Sequence, residues 1–219
     1  MKILFLITAC VLLSGCAPAP KPEDMPAPSV EKPRPVDLAD DRPIIATFGD
    51  SLSAGFGVEP GKSYPDFLQK EIDRRGLRYR VVNAGVSGDT TTDGVVRLAT
   101  VIALKPAITI VEFGGNDGMR GLPVATTESN LEKIVAALIA AGSKVVIAGM
   151  TLPPNYGPQY IQSFEKVFRD VAARHKVPLI PFLLEGVGGH AELMQRDGIH
   201  PTAEGNQIVA ATVMRALAL

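Results

Sequence analysis

The sequence predicts an α/β domain in which a parallel sheet of five strands is covered by helices on both faces. Two observations lead to this prediction. Short runs of apolar and β-branched residues recur at the length of buried strands, and amphipathic segments of helical period lie between them. Alternation of strand and helix builds parallel sheets with crossover helices, so we expect a three-layer α/β/α domain of flavodoxin-like type.

Five strands and five main helices are expected from residue 44 onward. The predicted strands are 44–48, 79–83, 108–113, 144–150 and 178–180, and the predicted helices are 64–75, 92–104, 128–141, 161–175 and 203–217. Gly76 and Gly142 stand where C-terminal helix caps are expected. Thr202 is suited to cap the last helix at its N-terminus.

The first 43 residues differ from the rest of the chain in composition. Residues 1–15 begin with the positive charge of Lys2 and continue as a short apolar run, a pattern typical of a secretory signal peptide. Leu13-Ser14-Gly15-Cys16 resembles a bacterial lipobox, which implies lipidation of Cys16 and cleavage before it. A plain secretory signal and a buried N-terminal helix are the alternatives.

Residues 16–43 are rich in proline and alanine, and such a segment buries too little apolar surface to fold. We therefore expect a disordered tether between the lipid anchor and a catalytic domain at 44–219. The membrane is the expected partner of the N-terminus. Because the residue after Cys16 is Ala17 and not aspartate, we expect an exported lipoprotein of the outer membrane that faces the periplasm.

Composition excludes several function classes. With 22 basic and 23 acidic residues the formal charge is −1, so no nucleic-acid partner is expected. The two cysteines both lie in the first 16 residues, which excludes a disulfide framework in the domain. The three histidines, His175, His190 and His200, lack metal-ligand spacing. We expect a monomer that uses neither metal nor cofactor.

Polar and glycine-rich segments follow three of the predicted strands, and a fourth precedes the last helix. They contain Ser51, Gly85, Asn116 and the pair Asp197 and His200. Because the carboxyl ends of parallel strands share one edge of a sheet, these residues should converge. Each segment alone is compatible with an ordinary turn. Together they supply a hydroxyl, an unhindered backbone amide, a side-chain amide and a histidine beside a carboxylate, as acyl transfer requires.

All four segments resemble the signature blocks of one superfamily, and three of them match almost as fixed phrases. Gly-Asp-Ser-Leu-Ser-Ala-Gly from residue 49, Gly-Gly-Asn-Asp-Gly from residue 114 and Asp-Gly-Ile-His-Pro from residue 197 resemble the signature blocks of the SGNH (GDSL) hydrolase superfamily. Within it the sequence is similar to the bacterial acyl-thioesterase I, arylesterase and lysophospholipase L1 group. The resemblance implies that Ser51 is the nucleophile and that Asp197 and His200 complete the triad. It also implies an oxyanion hole formed by Ser51, Gly85 and Asn116.

The chemistry of these residues is consistent with that assignment. A serine hydroxyl needs a base within hydrogen-bond reach, which His200 can supply, and Asp197 can hold the other ring nitrogen. Asp50 and Asp117 are expected to bond local amides and to lie outside the catalytic set. The usual α/β-hydrolase fold is not expected, because its Gly-x-Ser-x-Gly pattern is absent around Ser51.

Two loops are candidates for the walls of the substrate site. Met119 and Leu122 belong to a segment that we expect to act as a mobile lip, and Pro153 and Tyr156 belong to the opposite wall. Three functions remain open at this point. They are a lipid-anchored serine esterase of aryl or acyl esters, thioesters or lysophospholipids, a carbohydrate O-deacetylase of the cell envelope, and a non-catalytic lipoprotein that uses the fold for binding.

Overall fold

The computed structural model describes residues 40–219, and the predicted signal peptide, Cys16 and the tether up to residue 39 lie outside them. All strand pairs are parallel, and the sheet has the order β2-β1-β3-β4-β5. The strands are β1 (Ile44–Gly49), β2 (Arg80–Asn83), β3 (Ile108–Glu112), β4 (Lys144–Ala148) and β5 (Leu179–Ile180). This is the flavodoxin-like order, and the predicted fold class is confirmed.

Helices cover both faces of this sheet. They are α1 (Ser51–Ala54), α2 (Tyr64–Arg74), α3 (Thr91–Ile102), α4 (Gly115–Met119), α5 (Val124–Ala140), α6 (Pro158–His175) and α7 (Ala203–Leu217). Helix α2 packs against α7, whereas α3, α5 and α6 pack side by side. Because the chain moves one way from β1 and the other way from β2, right-handed crossovers place these two groups on opposite faces.

The structure differs from the predicted elements mainly where strands give way to helices. The short helices α1 and α4 were not predicted, because four or five residues rich in glycine or serine have little helical propensity of their own. Helix α5 begins four residues earlier than predicted, and α6 begins at Pro158, whose fixed φ suits the first helical turn. Strands β3 and β4 are shorter than predicted and end at Glu112 and Ala148.

The predicted caps are close to those observed. Thr202 caps α7, where its hydroxyl accepts a hydrogen bond from the Gly205 amide at 3.2 Å, as predicted. The C-caps of α2 and α5 are Arg75 and Ala141, and the predicted glycines follow one residue later with φ of 68° and 88°. The glycine therefore stands at the position after the cap, where a left-handed residue ends the helix.

The polarity of the sheet separates its two edges. The chain enters the domain at the amino edge, where the Arg80 amide donates to the Pro43 carbonyl at 3.0 Å and Arg42 reaches the Tyr79 carbonyl at 3.3 Å. Every strand then points its carboxyl end to the opposite edge. Across residues 40–219, none of the helices combines the length and the hydropathy needed to cross a bilayer.

Candidate active site

Ser51 occupies a sharp strand-to-helix turn at the carboxyl end of β1. It is the first residue of α1, and Asp50 caps this helix by accepting the Leu52 amide at 3.1 Å. Gly55 ends the helix after a single turn, with a φ of 81° that a residue with a side chain rarely adopts. The turn therefore presents the serine at the point where β1 and β3 connect in opposite directions, which is where ligands bind in such sheets.

A continuous chain of hydrogen bonds joins Ser51, His200 and Asp197. Nε2 of His200 lies 2.8 Å from Oγ of Ser51, and Nδ1 lies 2.7 Å from Oδ2 of Asp197. An ionised carboxylate can only accept, so Nδ1 carries the hydrogen and Nε2 is left to accept the serine proton. This tautomer is the one that a general base requires.

The Asp197 carboxylate is held in its ionised form. Its second oxygen accepts the amides of Ile199 at 2.9 Å and His200 at 3.0 Å, which closes the tight turn expected from the spacing. Partial burial acts to raise the pKa of Asp197, but the hydrogen bonds from His200 and the two amides outweigh it and leave the pKa below its usual value.

The histidine turn is attached to the serine turn by residues that sequence reasoning missed. Gln195 donates from Nε2 to the carbonyl of Phe56 at 2.7 Å and to that of Pro201 at 2.9 Å. The Phe56 ring packs on the His200 imidazole with centroids 4.5 Å apart. These contacts join the histidine turn to the residues that follow Ser51. Only the position of Gln195 beside the Asp-Gly-Ile-His-Pro segment could have drawn attention to it.

Gly85 and Asn116 lie next to the serine turn, and both amides have protein acceptors. A side chain at Gly85 would place its Cβ 2.3 Å from the Ala54 nitrogen, so the backbone approaches α1 as only glycine permits. The Gly85 amide donates to Oδ1 of Asn83 at 2.9 Å. Nδ2 of Asn116 donates to Oδ2 of Asp50 at 3.1 Å and to the Asp89 carbonyl at 3.0 Å.

Two further acidic side chains, those of Asp50 and Glu112, lie behind the nucleophile. Asp50 and Glu112 are both buried, and Oε2 of Glu112 accepts the Asp50 amide at 3.2 Å. Burial raises the pKa of Asp50 to about 6, against the lowering effect of the hydrogen bonds that it accepts. Burial, followed by repulsion from the Asp50 charge, raises the pKa of Glu112 well above its usual value. Sequence reasoning missed Glu112, although a lone acid in an apolar strand was a visible signal.

The expectation that Asp50 and Asp117 bond local amides is only partly correct. Asp50 does accept the nearby Leu52 amide, but it also accepts from Asn116, which lies 66 residues later in the chain. Asp117 accepts the amide of Thr91 at 2.9 Å and its hydroxyl at 2.5 Å. It therefore links α4 to the start of α3, and its role depends on tertiary contacts that local spacing does not specify.

The candidate substrate-binding residues form two segments that touch each other. The Tyr156 hydroxyl donates to the Met119 carbonyl at 2.8 Å, and the Tyr160 hydroxyl donates to the Leu122 carbonyl at 3.2 Å. Pro153 is exposed at the start of the second segment. The segment expected to be a lip is therefore fastened to the opposite wall by two tyrosines, and opening it would break these hydrogen bonds.

A serine hydroxyl bonded to an imidazole, at the carboxyl edge of an α/β sheet, is the arrangement of hydrolases that form an acyl-enzyme intermediate. Comparison with known proteins identifies the group within this class. Residues 47–208 match the GDSL-like Lipase/Acylhydrolase family, and the chain belongs to that family.

Named relatives agree with this membership. The chain is 48% identical to the esterase TesA of Pseudomonas aeruginosa over 158 residues, which are 72% of this chain and 79% of the relative. It is 36% identical to the thioesterase 1/protease 1/lysophospholipase L1 of Escherichia coli over 167 residues, 76% of this chain and 79% of the relative. The crystal structure of TesA superposes with a TM-score of 0.77 at 43% identity, covering 80% of this chain and 97% of that one. The chain is thus a serine esterase of the SGNH family.

Proposed function

We propose that this esterase hydrolyses acyl esters and thioesters through a triad of Ser51, His200 and Asp197. The observation that carries the proposal is the unbroken chain of hydrogen bonds of 2.8 Å and 2.7 Å from the hydroxyl to the carboxylate. Each member lies within hydrogen-bond reach of the next, in the order that nucleophilic attack by the serine requires.

The reaction has two half-reactions. Oγ of Ser51 attacks the acyl carbon while its proton passes to Nε2 of His200. The imidazolium then gives this proton to the departing alcohol or thiol as its bond to the acyl carbon breaks. Water repeats the sequence on the acyl-enzyme: His200 takes its proton, the hydroxyl attacks, and Ser51 recovers its hydrogen as the acid leaves. Asp197 stabilises the imidazolium in both halves without taking the proton.

The negative oxygen of each tetrahedral intermediate needs donors fixed in advance. The Ser51 amide is suited to this role because the first residues of a helix lack intrahelical acceptors. Gly85 and Asn116 are the other proposed donors. Since their amides already have acceptors in Asn83, Asp50 and Asp89, the developing oxyanion must share or replace these partners.

The substrate class is inferred from the family, and the location of the enzyme is inferred from its N-terminal sequence. Acyl-ester and thioester substrates fit the family, and we assign Met119, Leu122, Pro153 and Tyr156 to the walls that contact the acyl chain or leaving group. The N-terminal sequence supports an exported enzyme anchored through Cys16, with residues 16–43 as its tether.

The decisive experiment compares Ser51→Ala with wild type, using p-nitrophenyl butyrate hydrolysis and covalent labelling by a fluorophosphonate probe. Ser87→Ala is the matched control, because Ser87 is an exposed serine in the loop after Gly85. We expect wild type and Ser87→Ala to hydrolyse the ester and to label, and Ser51→Ala to do neither. Labelling of Ser51→Ala at the wild-type rate would place the nucleophile elsewhere.

Substrate preference is measured with the same protein on four classes of compound. These are aryl esters, acyl thioesters, lysophospholipids and acetylated glycans, each compared by kcat/KM. We expect the first three to exceed the glycans. A clear preference for acetylated glycans would instead support a carbohydrate O-deacetylase.

A further inference from the structure

A buried acidic cluster, formed by Glu112, Asp50, Ser53 and Tyr64, lies behind the nucleophile and is not used by the triad. Glu112 is the last residue of β3 and is fully buried. Its Oε2 accepts the Ser53 amide at 3.1 Å, the Ser53 hydroxyl at 2.8 Å and the Asp50 amide at 3.2 Å. One carboxyl oxygen thus accepts backbone amides that precede and follow the reactive serine.

The close fit around this oxygen is visible in the neighbouring glycine. A Cβ at Gly49 would lie 2.3 Å from Oε2 of Glu112, so β1 approaches the carboxyl group as only glycine allows. The Tyr64 hydroxyl lies 2.9 Å from the Ser53 hydroxyl, which in turn donates to Glu112. The cluster is therefore packed from β1, β3 and α2 at once, with little freedom to relax.

The charged and titratable groups around the cluster do not neutralise it. Among the described residues, no Lys, Arg or His side chain forms an ion pair with Asp50 or Glu112. Arg97 uses its guanidinium on the Asp89 carboxylate and the Gly49 carbonyl, and His200 is paired with Asp197. Two adjacent buried carboxylates without a cation would repel each other and lose their hydration. At least one of them must keep its proton.

Glu112 is the member with a place for that proton. Its Oε1 is buried and receives no N–H or O–H donor among the described residues. Its other oxygen, Oε2, already accepts three N–H and O–H donors. Asp50 already accepts on both oxygens, from the Leu52 amide and from Asn116. Oε1 of Glu112 is thus the one oxygen of the two carboxyl groups that is left to carry a hydrogen.

We propose that Glu112 is an uncharged positioning residue of the catalytic turn. Its Oε2 accepts the backbone amides around Ser51, and its Oε1 carries the proton that prevents two adjacent buried charges. An ionised Asp50 can only accept, so it selects the NH₂ group of Asn116, and not its carbonyl oxygen, as its partner beside the serine turn. The proposal rests on the proposed roles of Ser51 and Asn116 and adds the residue that orients both.

Two substitutions at this position separate positioning from charge. Glu112→Gln keeps one acceptor and one donor in the same shape, and Glu112→Leu removes both. We expect Glu112→Gln to retain at least about a third of the wild-type kcat. Glu112→Leu should lower kcat on the order of 100-fold and change KM by less than about 3-fold, because misplacement of oriented donors appears in kcat. Fluorophosphonate labelling should slow in parallel with kcat.

A matched control lies on the same strand. Thr109 is a buried residue of β3 whose hydroxyl bonds the Ser143 hydroxyl at 2.8 Å, away from the serine turn. Thr109→Val removes a buried hydrogen bond and should lower stability while leaving kcat at the wild-type value. This result would show that loss of a buried polar contact in β3 does not by itself reduce turnover.

The proton is detected directly by infrared difference spectroscopy at neutral pH. The wild type minus Glu112→Gln spectrum should contain the C=O stretch of a protonated carboxylic acid. Absence of this band, or a Glu112→Gln enzyme as impaired as Glu112→Leu, would overturn the proposal, because the residue would then act as a carboxylate. Full activity of Glu112→Leu would also overturn it. If Glu112→Leu does not fold, the glutamine variant and the spectrum decide the question alone. Failure of wild type to label would instead contradict the proposed function.

Discussion

Two acidic side chains act on Ser51 through neighbouring groups, and one of them is exposed to water whereas the other is buried. Asp197 reaches it through His200 from an exposed turn, with 36% of its side chain accessible to water. Glu112 acts from the buried end of β3 through the amides of Asp50 and Ser53, and it has no accessible surface. The pKa of the first carboxyl is lowered by its hydrogen bonds, and that of the second is raised by burial.

The difference shows that the environment of a carboxyl group determines its charge and its role. At the surface, an imidazole and two amides can stabilise a negative charge that remains partly hydrated, so Asp197 can respond to charge that develops on His200. In the core, the same charge would be unpaired beside Asp50, so the acid keeps its proton and serves as an acceptor of fixed geometry. One carboxyl acts on the reaction, and the other acts on the shape of the site.

The largest expected effect comes from removing the charge on the exposed side. Asp197→Asn preserves the size of the side chain, but its NH₂ group favours the wrong tautomer of His200. We expect kcat to fall about 10³- to 10⁴-fold, as in other serine triads, with only a small decrease in the urea midpoint from loss of the stabilising charge. The comparison would be broken if this variant kept more than a tenth of wild-type kcat, since the exposed carboxylate would then be dispensable.

The next effect concerns Asn116, which donates a hydrogen bond to Asp50 of the buried pair. Asn116→Ala removes a proposed oxyanion donor that the buried pair orients, and we expect kcat to fall about 10²- to 10³-fold with little change in KM. Asn130→Ala is the control, because Asn130 is a buried asparagine that bonds Thr91 and Thr92. It should reduce stability and spare turnover. Equal losses of kcat in both variants would assign the effect to folding.

A third prediction uses the pH dependence of stability. Because the folded-state pKa of Glu112 is raised, the folded protein holds a proton that the unfolded chain releases above about pH 4.3, and stability is lost as the pH rises. The opposite sign applies to Asp197, whose contribution is lost as the pH falls through its lowered pKa.

Urea unfolding of wild type and Glu112→Gln at pH 5 and pH 8 tests this sign. The stability of the variant relative to wild type should rise with pH, by about 1.4 kcal/mol for each pH unit over which only the folded wild type keeps the proton. Glu185→Gln, the same change at an exposed glutamate, is the control and should show no such trend. If the stability difference between Glu112→Gln and wild type did not depend on pH, Glu112 would already be charged at pH 5 in the folded protein.

The smallest effect is expected where the exposed turn is fastened to the serine turn. Gln195→Ala removes the hydrogen bonds to the Phe56 and Pro201 carbonyls. We expect kcat to fall about 3- to 10-fold, in line with about 1 kcal/mol for a net hydrogen bond. Single-turnover acylation of Ser51 measures this. A loss as large as that of Asp197→Asn would show that the exposed side is as tightly specified as the buried one.

The sequence predicted the sheet because strand burial and helical period are local patterns. It proposed Ser51 and Asn116 because strand ends converge in any parallel sheet, and His200 because the segment before the last helix resembles a signature block of the superfamily. It did not predict α1 and α4, which form through capping by Asp50 and through packing rather than by propensity. The contacts of Glu112 join residues 59 and 62 positions apart. Spacing along the chain carries no information on such pairs, and only the lone charge in an apolar strand pointed to them.

The two edges of the sheet also have a practical meaning for handling the enzyme. The described chain enters beside Pro43, whereas Ser51 stands at the far end of β1, about 20 Å away for six extended residues. A support, affinity tag or fluorescent label joined ahead of residue 40 is therefore attached at the rear of the domain. Immobilised in this way, the protein would turn its reactive edge outward, so a surface-coupled preparation should retain access for bulky substrates.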